Sequence, residues 1–99
     1  MSFTVNIYYT GQNGSAKDFA NEMVSSGVVD RIRAEERNLK YEYFFPMDDP
    51  ETVLLIDRWD NQATLDAHHK SPTMQEIAKL RDKYNLHMHV EQFVERPKE

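Results

Sequence analysis

Cysteine is absent from the 99 residues of the chain. Its absence excludes disulfide bonds, thiolate zinc sites, iron–sulfur clusters and cysteine nucleophiles. Long hydrophobic runs are also missing, because the longest apolar stretch covers only residues 53–56. A membrane-spanning helix requires roughly 20 such residues. The sequence therefore predicts neither a thiol-based site nor a membrane span.

Positive charge is in deficit as well. The chain has 12 Lys and Arg against 17 Asp and Glu, a formal net charge of −5. Nucleic acids and anionic lipid surfaces are bound through basic faces, so we expect neither as a partner. The first residues have neither a basic segment nor an apolar signal core, which leads us to expect a cytoplasmic location.

The length fits one domain, and we find no internal repeat, low-complexity segment or linker that would divide residues 1–99. A chain of this size buries only about 60–65% of the surface of its unfolded form. A partner subunit would therefore add to a thin core.

Alternating apolar residues predict four β-strands, over residues 3–10, 39–45, 52–59 and 86–94. The short turn at residues 47–50 makes the second and third strands an antiparallel hairpin.

Helical spacing fills the two longer connections between strands. Ser15 and Asp18 resemble a capping box that begins the first helix, which is interrupted at residues 25–27 and resumes over 28–36. Asn61 is expected to cap a short helix that ends at His69. Ser71 is expected to cap the next helix, with Pro72 at its first position.

This order of elements is the ferredoxin-like split βαβ pattern, an α+β fold with helices on one face of a four-stranded antiparallel sheet. The predicted central strands are apolar on both faces, since Leu54 and Ile56 oppose Val53 and Leu55. The helices cover one face only. We therefore expect a homodimer in which a second copy packs its sheet face to face on the other side.

The four histidines form two pairs. At most one of His68 and His69 faces the sheet, because adjacent helical residues point about 100° apart. His68 is either a proton-transfer group at the mouth of a cavity or a partly exposed histidine favoured by the helix dipole. His87 and His89 share one strand face, but we find no third ligand near them and predict no metal site.

Other candidate residues also have two interpretations. Trp59 is either the wall of an aromatic-ligand site or a core residue. Asn6 lies in a strand, where asparagine is depleted, so it either faces a ligand or is a satisfied buried group. Tyr8 and Tyr41 either line an apolar cavity or pack in a core or interface.

Three stretches carry a resemblance to a known family: residues 39–43, 48–59 and 65–72. They combine a tryptophan that ends a strand, a short helix that bears histidine, and Ser-Pro at the start of the next helix. In these features the chain resembles the antibiotic biosynthesis monooxygenase family, small dimeric α+β barrels that include quinol monooxygenases. The resemblance covers roughly residues 3–94.

The resemblance implies oxidation of a small quinol- or anthrone-like aromatic substrate by molecular oxygen, with no cofactor. The substrate would be deprotonated in an apolar pocket and its anion would pass an electron directly to oxygen. In this interpretation the catalytic residues are His68 as base or proton donor, with Asn6 and Trp59 orienting the ring. The residues expected to line the substrate site are Tyr8, Tyr41 and Leu65.

Two alternatives stay open: an isomerase of a small oxygenated metabolite with His68 as base, or a dimer that binds a small aromatic molecule without catalysis. The haem-degrading branch of the superfamily fits less well. Asn6 matches its strand asparagine, but His68 stands where that branch has tryptophan and Ala78 stands about where it has its histidine ligand. The interrupted first helix also departs from the plainer family pattern.

Overall fold

The computed structural model describes residues 2–95. Four antiparallel strands form one sheet in the order β2-β3-β1-β4. The strands are β1 (Phe3–Thr10), β2 (Asn38–Phe44), β3 (Thr52–Trp59) and β4 (His87–Val94). The helices are α1 (Ser15–Ser25), α2 (Val28–Arg33), α3 (Gln62–His69) and α4 (Pro72–Lys83). The predicted ferredoxin-like α+β fold is confirmed.

The break in the first helix is also confirmed. Gly27 has a φ of 86°, a left-handed conformation that glycine adopts without a Cβ clash, and it separates α1 from α2. The resumed helix is shorter than expected, because α2 ends at Arg33 rather than at residue 36. Arg37 takes a φ of 68°, so the chain has left the helical path before β2 begins.

The predicted capping box of Ser15 and Asp18 is wrong. Ser15 is already helical, and its Oγ accepts a hydrogen bond from the Gln12 N–H at 3.0 Å. The carboxylate of Glu51 accepts hydrogen bonds from the N–H groups of Asn13 and Gly14 instead. A negative charge at a helix N-terminus is favoured by the helix dipole. The cap is therefore supplied by Glu51 in the β2–β3 turn, which is too distant in the sequence for a local capping motif to reveal.

The start of α3 follows the prediction. Asn61 Oδ1 accepts a hydrogen bond from the Thr64 N–H at 2.9 Å. Ser71 precedes α4, but its Oγ donates to the His68 carbonyl at 2.7 Å instead of capping α4. This bond joins the end of α3 to the start of α4 and holds the backbone of His68.

The core lies between the helices and one face of the sheet. Alternate residues of β1 and β3 point into it because the side-chain period of a strand is two. Its largest fully buried apolar side chains come from both layers: Tyr9, Phe19, Met23, Ile32, Leu55 and Trp59. No helix within residues 2–95 combines the length and the apolar character needed to cross a lipid bilayer.

The opposite side of the sheet, the open face, carries the other set of alternating residues. Its members include Asn6, Tyr8, Phe44, Leu54, Ile56 and Phe93.

The edge strand β4 is exposed on both sides, because the helices pack over β2 and β3. Met88, Val90 and Val94 face the helical side and Phe93 faces the open side. These four side chains are 43–54% exposed.

Candidate active site

Helix α3 turns His68 toward the sheet and leaves His69 exposed. His68 is only 2% exposed, and Leu65, one turn earlier on the same helical face, is also buried. The sequence left open that His68 is a partly exposed histidine at a helix end. Its burial excludes that interpretation.

A carboxylate fixes the orientation of the buried imidazole. His68 Nδ1 lies 3.2 Å from Glu35 Oε1 and 3.1 Å from Glu35 Oε2. A carboxylate only accepts hydrogen bonds, so Nδ1 carries a proton and donates it to Glu35. In the neutral ring the lone pair is then on Nε2, which is the nitrogen left for the cavity. Glu35 lies in the turn after α2, so the early end of that helix positions it.

Burial lowers the pKa of His68 below its ordinary value, and His69 lowers it further, while Glu35 opposes the shift. The imidazole is therefore neutral at pH 7. A neutral imidazole with a free Nε2 accepts a proton, as general base catalysis requires.

Trp59 packs against this histidine from within the core. Its ring stacks on the imidazole with the centroids 4.8 Å apart and an angle of 29° between the planes. Trp59 is 1% exposed, and its indole N–H has no hydrogen-bond acceptor of good geometry among residues 2–95. Trp59 is therefore a core residue that packs on the imidazole of His68, and it does not line either cavity in one subunit.

Asp57 is the residue that sequence reasoning missed. It is 4% exposed and shares the core face of β3 with Leu55 and Trp59. Asn38 Nδ2 donates to its Oδ1 at a long 3.4 Å. Burial raises the pKa of Asp57 to about 7; nearby donors on Trp59 and Asn38 oppose the rise and Glu35 adds to it. The available signal was an acidic residue in the apolar alternation of β3.

Asp57 and His68 line the same cavity between the sheet and α3–α4. Its volume is about 30 Å³, close to the share of one molecule in liquid water. Tyr41, a predicted lining residue, contributes to its wall, as do Met74 and Ile77 of α4.

The tyrosines around the cavity are not bases. Burial raises the pKa of Tyr9 to about 12 and holds that of Tyr41 well above its ordinary value. Both phenols therefore stay neutral at any physiological pH.

Leu65 lines a second cavity of about 230 Å³, between α3 and the β1–β4 edge of the sheet. Phe3 and Val94 supply apolar walls, and Gln62 supplies an amide. Val5 lines both cavities, so the larger space adjoins the smaller one that holds Asp57 and His68.

Asn6 and Tyr8 lie on the open face, across the sheet from His68, and do not line this cavity within one subunit. Asn6 Oδ1 is buried there without a hydrogen-bond partner among residues 2–95. His87 and His89 are exposed on β4. Within residues 2–95, no three His, Asp or Glu side chains are placed to hold a metal ion.

Replacing Glu35 with glutamine tests the imidazole orientation. Glu35 raises the pKa of His68, so Glu35→Gln is expected to lower that pKa further. The matched control is Glu36→Gln at the exposed neighbouring position, which has only a 3.9 Å ion pair with Arg37. Titration of the His68 ring by NMR measures both variants, and an unchanged His68 pKa in Glu35→Gln would contradict the assigned bond.

The fold is shared with solved structures of low sequence identity. SnoaB, a cofactor-independent oxygenase from Streptomyces nogalater, has a TM-score of 0.79 at 11% identity, covering 98% of this chain and 95% of that chain. Rv0793 from Mycobacterium tuberculosis has a TM-score of 0.81 at 15% identity, covering 99% of this chain and 98% of that chain. PA3566 from Pseudomonas aeruginosa has a TM-score of 0.80 at 20% identity, covering 97% of this chain and 95% of that chain. At these identities the similarity establishes the fold alone.

No curated protein matches the chain significantly. The sequence model of the antibiotic biosynthesis monooxygenase family, in contrast, matches residues 2–80, which is most of the chain. The protein belongs to the antibiotic biosynthesis monooxygenase family.

Proposed function

We propose that the protein is a cofactor-independent monooxygenase that oxidises a small quinol- or anthrone-like aromatic substrate with molecular oxygen. One observation carries the proposal: His68 is buried and neutral, and its Nδ1 is held by Glu35 at a cavity that Tyr9 and Tyr41 also line. Membership of the family supports the same class of reaction.

In this reaction, Nε2 of His68 accepts a proton from an acidic C–H or O–H of the substrate. The electron pair of the broken bond stays on the substrate, and the resulting anion passes one electron to oxygen. Recombination of the two radicals forms a C–O bond. After proton transfer to the peroxide, the remaining C–H bond of the oxygenated carbon breaks and its electron pair forms the carbonyl as the O–O bond breaks. One oxygen atom stays in the product, and the other takes up the released proton and leaves as water.

The ring system is assigned to the larger cavity, with its reacting atom toward His68. The smaller cavity as it stands holds about one water molecule, so it does not accommodate a bicyclic ring. The 230 Å³ cavity is large enough for most of such a ring and adjoins it at Val5. Leu65 lines the larger cavity and Met74 lines the smaller one. These two side chains are assigned to move when substrate binds.

Oxygen consumption tests the proposal. The purified protein is supplied with menadiol or anthrone in an oxygen electrode, and the rate of autoxidation is subtracted. We expect saturable uptake and, with ¹⁸O₂, one labelled atom in the product of anthrone. No uptake across such a panel, with thermal shifts by the same compounds retained, would favour a binding protein. Isomerisation of a ketose detected by NMR would favour the isomerase.

The functional unit is proposed to be a homodimer joined through the open face and β4. Large apolar side chains on β4 are about half exposed, and Leu54 and Ile56 occupy the centre of the open face. A second copy packed on this face would cover Leu54, Ile56 and Phe93, and its contacts with the edge strand would have to cover Met88, Val90 and Val94 on the helical side.

Phe93→Glu tests this interface, because it replaces an apolar side chain of the proposed contact with a charged one. Phe93 is 50% exposed in one subunit. We expect the dimer dissociation constant to rise about 100-fold or more, since a buried unpaired charge is unfavourable. Val24→Glu on α1 is the matched control, because Val24 is 56% exposed on the helical layer. Light scattering after size-exclusion chromatography measures both. A monomeric unsubstituted protein at micromolar concentration would contradict the dimer.

A further inference from the structure

The proton transfer assigned to His68 does not use Asp57, although both residues line the same cavity. Asp57 is 4% exposed and lies between two buried neighbours on the core face of β3. Its hydrogen bond from Asn38 is 3.4 Å long. No ion pair within residues 2–95 includes Asp57. An ionised carboxylate in such a place is unfavourable, so the side chain keeps its proton below about pH 7.

The donors on Trp59 and Asn38 favour ionisation of Asp57, but the other groups that face it from the cavity do not. The two phenols are neutral, and the imidazole of His68 is neutral and already bonded to Glu35. Glu35 is negative, and α4 places apolar Met74 and Ile77 against the cavity. The titratable and charged groups concerned are Tyr9 on β1, Tyr41 and Tyr43 on β2, Glu35 after α2, His68 and His69 on α3, and Arg81 on α4 near Tyr9. Burial raises the pKa of Tyr43 as well, so its phenol is also neutral.

We propose that Asp57 is a second catalytic residue, whose neutral carboxyl group donates a hydrogen bond to an oxygen of the substrate while His68 accepts the substrate's proton. This inference rests on the proposed function. The C–H or O–H bond of the substrate breaks, the proton moves to His68 Nε2, and the electron pair delocalises onto the substrate oxygen. Asp57 stabilises that oxygen without giving up its own proton.

The pair of groups selects a chemical class of substrate. The substrate must carry an acidic C–H or O–H that reaches His68. It must also carry a carbonyl or hydroxyl oxygen, conjugated with that position, that reaches Asp57. Anthrones and hydroquinones carry both features on one ring system. A phenol with a single oxygen lacks the second contact and is expected to react more slowly.

Two substitutions separate the possible roles of Asp57. Asp57→Asn is isosteric, uncharged and still a hydrogen-bond donor, whereas Asp57→Val has no donor. At pH 6 we expect Asp57→Asn to keep kcat/KM for anthrone within about threefold, and Asp57→Val to lose about 100-fold. Above pH 7, kcat/KM of the unsubstituted protein should decline as Asp57 ionises. In Asp57→Asn, kcat/KM should not show this decline. Asp82→Asn on the exposed surface of α4 is the control.

The outcomes of this comparison are distinct. If Asp57→Asn is as inactive as Asp57→Val, the carboxylate acts as a base and the inference is overturned. If Asp57→Val is as active as the unsubstituted protein, Asp57 does not touch the substrate and the inference is again overturned.

Binding of menadione gives a readout that does not require oxygen chemistry. Menadione presents carbonyl acceptors and has no quinol to oxidise. We expect its Kd, measured by calorimetry, to weaken about tenfold between pH 6 and pH 8.5 in the unsubstituted protein and to stay constant in Asp57→Asn. Absence of binding, or a Kd independent of pH, would overturn the role of Asp57. A failure of oxygen uptake with this pH dependence intact would overturn only the monooxygenase.

Discussion

Asp57→Asn is expected to stabilise the fold at pH 8 by up to about 4 kcal/mol and to have little effect at pH 4. The pKa of Asp57 is about 7 in the fold, against an ordinary 3.8. Because the folded pKa is raised, the unfolded chain releases the proton first, and the unsubstituted protein loses stability as pH rises between these values. An asparagine does not titrate, so the difference in the free energy of unfolding between Asp57→Asn and the unsubstituted protein grows over the same pH range. Above that range the difference is constant.

Urea unfolding at pH 4, 6 and 8 measures this effect. All samples need the same protomer concentration, because dimerisation makes apparent stability depend on concentration. Asp82→Asn is again the control and should differ little from the unsubstituted protein at every pH. A gain for Asp57→Asn that is equal at pH 4 and pH 8 would contradict the buried, protonated carboxyl group.

The second large effect concerns His68→Gln, which removes the imidazole but nearly preserves the volume of the side chain. Loss of a general base typically costs 10²–10⁴-fold in rate. We expect kcat with menadiol or anthrone to fall by about 100- to 1000-fold, while KM changes by less than about threefold. Proton transfer is lost in this variant, but the apolar walls that bind the ring remain.

A histidine outside the cavity provides the matched control. His87→Gln alters an exposed residue at the start of β4 and should keep the kcat of the unsubstituted protein. Oxygen-electrode rates, with circular dichroism to verify folding, compare the two variants. Unchanged turnover in His68→Gln would remove His68 from the mechanism.

Much of the fold was predictable because it depends on local periodicity. The bounds of β1 and β3 were predicted correctly from alternation, and Asn61 was correctly identified as a helix cap. The cap of α1 was not, because Glu51 reaches it from a turn 37 residues further along the chain. Local patterns do not reveal such long-range hydrogen bonds.

The candidate site divides in the same way. Helical geometry limits the sheet-facing histidine to one of two, and the fold then selects His68. No local pattern points to Glu35, since only tertiary structure brings it to His68. Asp57 was visible in the strand pattern of β3, but the expectation of an apolar core concealed it. Asn6 and Tyr8 lie on the face opposite Ile7, as the alternation of β1 requires, yet the family resemblance grouped them with His68.

A crystal structure of the protein with menadione would test the central claim most directly. We expect the ring in the larger cavity between α3 and the β1–β4 edge, with its reacting edge extending past Val5 so that one oxygen lies within hydrogen-bond distance of Asp57 and the acidic C–H or O–H position lies against His68 Nε2. Menadione bound only on the open face, or only at the exposed surface of β4, would contradict the assignment of this cavity as the active site.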